Sequence, residues 1–304
     1  MIVSELTRTE VGRQLGGHGL KVRMGPIVAS IRSPMPVVAD GIGFHYAAHE
    51  TLDADAFADF NVHIGWPSGI RRFVRPTATF RLDETTAFEP LPANQGFPLL
   101  EWGMNWCITA YCDQYLILHS AVVERNGCAL LLPAPPGSGK STLCAALVAR
   151  GWRLLSDELA LIDIDRLAVT PIPRPISLKN TAIEVIRAFW PEAAIGTVVR
   201  ETLKGSVAHV RPPPGSVERQ HEIAHVRWIV LPKYAAEAPM TLSAITRGAA
   251  LMRLVDCAFN YTVHGRRGFE TLASLVADAT CRDFRYGGDL DAAVKALEGL
   301  ASAS

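Results

Sequence analysis

Cysteine is scarce in this chain: six in 304 residues, none of them in a Cys-x-x-Cys pair. A disulfide framework is therefore not expected, and the six read as small buried hydrophobes in a reducing compartment. A charge excess is missing too. Lys+Arg is 30 and Asp+Glu is 30, so nothing in the balance points to nucleic acid or an anionic membrane as the main partner. No apolar run approaches the length of a membrane span, and MIVSELTRTEVGRQ is broken early by charges, unlike a secretory leader. The expectation is a cytoplasmic protein. Internal repeats and low-complexity segments are also absent.

What the chain does have is apolar residues, 49% of the total, enough for one large domain or two modest ones. Residues 1–95 carry strand-like runs broken by Pro and Gly, such as VRMGPIVASI (Val22–Ile31) and RRFVRPTATFRL (Arg71–Leu82). They predict a smaller, strand-rich N-terminal domain of unassigned role. FEPLPANQGFP (Phe88–Pro98) is dense in turn formers and is the candidate linker. A second domain follows over 96–304. Its first element is a helix at Leu99–Tyr111 with Trp102 and Trp106 on one face. Two strands around Asn126-Gly127 make a hairpin, since Asn-Gly favours a tight turn. STLCAALVAR predicts a helix, with Gly151 where a C-terminal cap belongs. Short strands are expected at WRLLS and LALIDID, and the proline-rich stretch 168–179 is expected to be irregular. Further on come a helix at Thr181–Phe189, a rigid break at Arg211-Pro-Pro-Pro and a buried strand at Val226–Pro232. Two closing helices are expected near Ala249–Phe259 and Asp289–Leu300.

The hairpin delivers the chain into LLPAPPGSGKST (Leu131–Thr142). A strand, a Gly-rich loop and a helix opening at Lys-Ser form the setting of a phosphate-binding loop. Successive amides of Gly137, Ser138, Gly139, Lys140, Ser141 and Thr142 would curl around phosphate oxygens, and the helix N-terminus adds positive potential. Lys140 would reach the outer phosphates, and the Ser141 hydroxyl is a candidate Mg²⁺ ligand. Pro135 and Pro136 lack an N–H and stiffen the leading edge. Ala134 stands where a glycine is usual, which is tolerable if φ is negative there.

The stretch HSAVVERNGCALLLPAPPGSGKSTLCAALVARGWRLLSDELALID (His119–Asp163) resembles HPr kinase/phosphorylase and its relatives. PRPISLKN, LKGSVAHVRPPPGSV and FNYTVHGRRGF look like the group called HprK-related kinase A. The likeness covers about the last 200 residues. It implies an α/β P-loop domain akin to phosphoenolpyruvate carboxykinase, with ATP and Mg²⁺ as cofactors. It also implies phosphoryl transfer to a hydroxyl, serine of a peptide or protein being the first choice. By the resemblance, Asp157 is the catalytic carboxylate and His119 the histidine that contacts it. Glu158 falls where the family has a second aspartate. Such relatives often form rings, so a homo-oligomer is implied. The loop that HPr kinases use for HPr recognition and phosphorolysis has no counterpart here, which points to a different acceptor.

Each assignment has a plainer alternative. Asp157 could be a turn acid, Glu158 a Mg²⁺ ligand or a surface acid, and His119 a core histidine. Arg174, Lys179, Lys204 and Arg211 are candidate phosphate clamps, or else surface charges; Arg211 ranks first because three prolines follow it. HEIAH (His221–His225) matches a zinc-protease pattern, but it needs a helix, and here it is expected to be a loop running into a strand. Two other functions stay open: a small-molecule kinase, and a nucleotide-binding module with little catalysis.

Overall fold

A computed structural model describes residues 1–67 and 76–302. The expected N-terminal strand run Arg71–Leu82 is seen from Thr77 onward, its residues 71–75 lying outside the described part. Val22–Ile31 is two antiparallel strands, Leu20–Met24 and Ile27–Arg32, turned at Gly25 with φ +59°. Only glycine suits that tip. A Cβ there would meet the Pro171 carbonyl oxygen at 2.0 Å. Among the described residues, seven strands make the N-terminal sheet, in which Phe60–Gly65 runs parallel to Ile27–Arg32.

Two helices there, Arg8–Gly16 and Pro36–His45, were not expected from the sequence. The first had a legible start signal: Thr7 accepts from the Glu10 amide while Glu10 accepts from the Thr7 amide at 2.8 Å. In the second, Gly41 and Gly43 mask the helical pattern.

The helix Gly96–Tyr111 packs with this N-terminal part. Leu99, Leu100, Met104, Cys107 and Ile108 share one core with Val22, Ile31, Val62 and Phe80. Gly103 permits the approach, since a Cβ would overlap the Phe80 ring at 1.9 Å. The buried face is thus aliphatic. Trp102 and Trp106 are only partly covered, and Trp106 meets Phe80 and Phe88 edge-on. The same core takes in Leu159, Leu161 and Ile172, so apolar packing is continuous across residue 95.

Eight described strands form the second sheet. The hairpin strands Tyr115–Arg125 and Cys128–Pro133 turn at Asn126 and Gly127, both with positive φ. Cys128–Pro133 then pairs in parallel with Ala224–Tyr234, which pairs in parallel with Thr280–Tyr286. Strand alternation sends successive side chains to two separate cores. Ala121, Val123, Leu130 and Leu132 face the helices Lys140–Ala149 and Leu290–Ser302. Val122, Ala129 and Leu131 face Arg247–Cys257 and Tyr261–Asp278. The chain is therefore mixed α/β, with helices on both faces of a buried sheet.

One expectation needs correction, and two elements went unexpected. The proline-rich stretch is not wholly irregular: Ala168–Thr170 and Ile176–Lys179 are short strands, each paired to a neighbour. The two closing helices are seen within two residues of expectation, at Arg247–Cys257 and Leu290–Ser302. A further helix, Tyr261–Asp278, was missed because Gly265 breaks its pattern with a non-helical φ of 52°. The strand Thr280–Tyr286 was missed beside it, although Cys281, Phe284 and Tyr286 are its buried positions. No described helix is long and apolar enough to cross a membrane.

Candidate active site

The loop between Cys128–Pro133 and Lys140–Ala149 has the glycine conformations that its sequence calls for. Gly137 and Gly139 take φ of +84° and +86°. Ala134 is buried and is not among the residues with positive φ, so the missing glycine costs nothing there. Two tyrosines that the sequence reading did not single out tie the loop from beneath. The Tyr234 amide donates to the Ser138 carbonyl at 2.9 Å, and the Tyr286 hydroxyl donates to the Gly139 carbonyl at 2.9 Å. A Cβ on Gly139 would meet that hydroxyl at 2.3 Å, so this glycine is also required by space.

Lys140 starts the helix and is 5% exposed. Its ammonium donates to the Asp157 carbonyl at 2.7 Å and lies 3.8 Å from a Glu158 carboxylate oxygen. Asp157 and Glu158 follow the strand Arg153–Ser156 in a bend and meet different partners. The Asp157 carboxylate turns inward. It accepts from the Ser177 amide at 3.0 Å, its other oxygen has no partner, and the Ser141 hydroxyl lies beside it. Burial pushes its pKa up, against the pull of Lys140.

Glu158 turns outward, 24% exposed, toward His119 at 3.3 Å and Lys179 at 3.8 Å. Burial works to raise its pKa, but Lys140, the His119 bond and Lys179 together outweigh that and hold it well below the usual carboxylate range. This corrects the sequence-based pairing. His119 contacts Glu158, not Asp157. The reason is strand register: His119 stands opposite Leu159, and the Ser120 amide donates to the Glu158 carbonyl.

A cavity of about 500 Å³ is lined by the loop, Lys140, Ser141, His119, Glu158 and Lys179, but not by Asp157. Its polar lining includes Gly137–Thr142, His119, Glu158, Lys179 and Lys204, and its apolar lining includes Ala182, Val185 and Leu290. Of the four candidate clamps, Lys179 and Lys204 are therefore placed at the cavity, and Lys204 also sits over the Trp102 ring at 4.9 Å.

Arg174 and Arg211 are not among its lining residues. Arg174 is buried, paired with Glu101 at 2.8 Å and donating to Asn105 at 2.6 Å. Arg211 instead lies over the Phe44 ring at 4.3 Å, against the N-terminal part.

Compared with protein-family models and with curated proteins, the chain finds no match. The site must be read from its own geometry.

His221–Ile223 is non-helical and His225 begins to alternate along the strand Ala224–Tyr234, so the two histidines of HEIAH do not share a helix face. Among the described residues, no group of three or more His, Cys, Asp or Glu side chains is gathered as a metal cage. Mg²⁺ held mainly by phosphate oxygens needs no such cage, only one or two protein oxygens. The buried Ser138 hydroxyl and Asp157 oxygen, both without partners, together with the open space at Gly137, fit a phosphate chain and its metal.

Proposed function

We propose that this chain is a Mg·ATP-dependent kinase that transfers a phosphoryl group to a hydroxyl, on a P-loop domain of the HPr-kinase and phosphoenolpyruvate-carboxykinase kind. One observation carries the reading. Lys140, at the start of a helix behind two left-handed glycines, lies against both members of an acidic pair, one facing inward beside Ser141 and one facing the cavity.

The amides of Gly137–Thr142 and the Lys140 ammonium would hold the phosphates, with Lys179 and Lys204 on the opposite wall. Bound Mg·ATP supplies the transferable group and offsets its charge. The Ser141 hydroxyl and the adjacent Asp157 carboxylate would hold the metal. Glu158 takes the acceptor side. Kept ionised by its cationic neighbours, it orients the hydroxyl and receives the proton late, as a loose transition state permits. His119 positions Glu158. The two acids thus exchange the roles that the sequence resemblance implied.

Calorimetric titration of Mg·ATP into the wild type and into Lys140→Ala tests this. The variant is expected to bind roughly 100-fold more weakly, a loss of about 2.7 kcal/mol. No heat with the wild type would end the proposal.

A further inference from the structure

A cavity of about 20 Å³ is lined by both the acidic pair and the Arg174–Glu101 pair. It is too small for a phosphate and large enough for one water molecule. Four of its lining residues carry a buried side-chain atom with no partner among the described residues: Asp157 Oδ1, Ser177 Oγ, His209 Nε2 and Arg174 Nε. Each of the four residues is at most 8% exposed. The topology brings them together. Ser177 and His209 stand opposite each other on the antiparallel strands Ile176–Lys179 and Gly205–Val210, so their side chains share a face. The Ser177 amide already donates to the other Asp157 oxygen at 3.0 Å.

The chemistry of the four atoms is complementary to water, which donates two hydrogen bonds and accepts two. The Asp157 carboxylate oxygen accepts only, and a guanidinium Nε–H donates only. Burial keeps His209 neutral, its pKa pushed down to about 4, so one ring nitrogen carries a free lone pair. The Ser177 hydroxyl supplies the remaining donor. Two acceptors and two donors therefore surround a space of one water's size. A metal cation or an ammonium in the same space would face the Arg174 guanidinium and leave its Nε–H unmatched.

We propose that a single internal water binds here, donating to Asp157 Oδ1 and His209 Nε2 and accepting from Ser177 Oγ and Arg174 Nε, and that through it His209 positions the Asp157 carboxylate beside Ser141. The positioning role rests on the kinase reading, in which Asp157 holds the metal; the water site does not. With one oxygen fixed by the Ser177 amide and the other by the water, the carboxylate keeps one orientation next to the Ser141 hydroxyl. His209 in turn stands edge-on to Phe97 at 5.4 Å and to His45 at 5.9 Å. The N-terminal part, whose role the sequence leaves unassigned, thus braces one end of the bridge. A spare lone pair on a buried water is tolerated more readily than a spare O–H. Loss of the Arg174 donor therefore leaves the bridge standing, and loss of the His209 acceptor does not.

High-resolution crystals of the full chain without nucleotide test the water directly. One density peak is expected within about 2.6–3.2 Å of at least three of the four atoms. A dry cavity, or a peak with the contacts of a cation, overturns the proposal. The positioning role is read by calorimetry of ATP at graded Mg²⁺. In His209→Leu the Mg²⁺ concentration that gives half the gain in affinity is expected to rise about tenfold, with ATP affinity in chelator unchanged. His209→Gln restores a polar atom and is expected to stay within about threefold of the wild type. Ser177→Val keeps the amide, puts a methyl group in the water's place and is expected to match His209→Leu. A wild-type metal requirement in His209→Leu and Ser177→Val overturns the positioning role, as does His209→Gln as impaired as His209→Leu. Failure of ATP to bind the wild type in Mg²⁺ removes the kinase reading, and the positioning role with it, while the density still decides the water.

Discussion

Two clusters of buried charge meet the strand-and-proline segment 157–179, and they differ in exposure. Arg174 and Glu101 close on each other at 2.8 Å with side chains 9% and 6% exposed, and Tyr46 donates to Glu101 at 2.6 Å. The neighbouring cluster is looser. Glu158 is 24% exposed and lies 3.8 Å from each of two lysines. The first fastens the N-terminal part to the rest and borders only a small cavity, of about 20 Å³, with Arg174 Nε buried without a partner. The second lines the cavity of about 500 Å³ through Glu158 and Lys179. Exposure to a cavity, more than residue type, separates the ion pair that fastens the fold from the one proposed to act on a ligand.

The sharpest way to break this comparison is to remove Arg174. Arg174→Met strands Glu101 without its partner in the core and is expected to cost about 3–5 kcal/mol in urea unfolding. Its effect on Mg·ATP affinity, measured well below the unfolding midpoint, is expected to be slight. A large affinity loss in the folded variant would mean that the two clusters act as one. Glu158→Gln is the complementary change. Phosphoryl transfer is expected to fall about 1000-fold, with little change in unfolding or nucleotide affinity. Asp157→Asn is expected to impair Mg²⁺ dependence instead, seen as a higher metal requirement. If Asp157→Asn and Glu158→Gln give the same profile, the division of roles is wrong.

Titration sharpens the comparison further. Burial depresses His49 and His209, each from 6.5 to about 4, at the contact between the N-terminal part and the rest. Both are neutral in the fold, whereas the unfolded chain takes up protons below about 6.5. Stability is thus complete above that pH and falls as the pH drops toward 4, by up to roughly 3 kcal/mol for each histidine. Urea midpoints from pH 7.5 to 4.5 would show the slope, and His209→Gln is expected to flatten it. The smallest effect belongs to Arg211. It is half-exposed and only rests on Phe44, so Arg211→Ala is expected to change stability by about 1 kcal/mol or less and Mg·ATP affinity not at all.

How much of this was legible beforehand depends on how local each signal is. The hairpin at Asn126-Gly127, the loop glycines and the helix capped near Gly151 are set by backbone conformation, which a few residues encode. The buried strands Cys128–Pro133 and Ala224–Tyr234 were legible as continuous apolar runs. The direction of Asp157 and Glu158 was not, because it depends on the register between separate strands. Arg211 misled for a similar reason: its prolines announced rigidity but not direction. Tyr234 and Tyr286 come from strands distant in sequence, and no local pattern marks a tyrosine as the floor of a loop.

That floor has a kinetic consequence. With carbonyls of Ser138 and Gly139 already anchored, the ring of amides is assembled before any phosphate arrives. Under the proposed function, capture would require shedding of water but no refolding of the chain, so the association rate would be set by encounter and the selectivity by how slowly the guest departs.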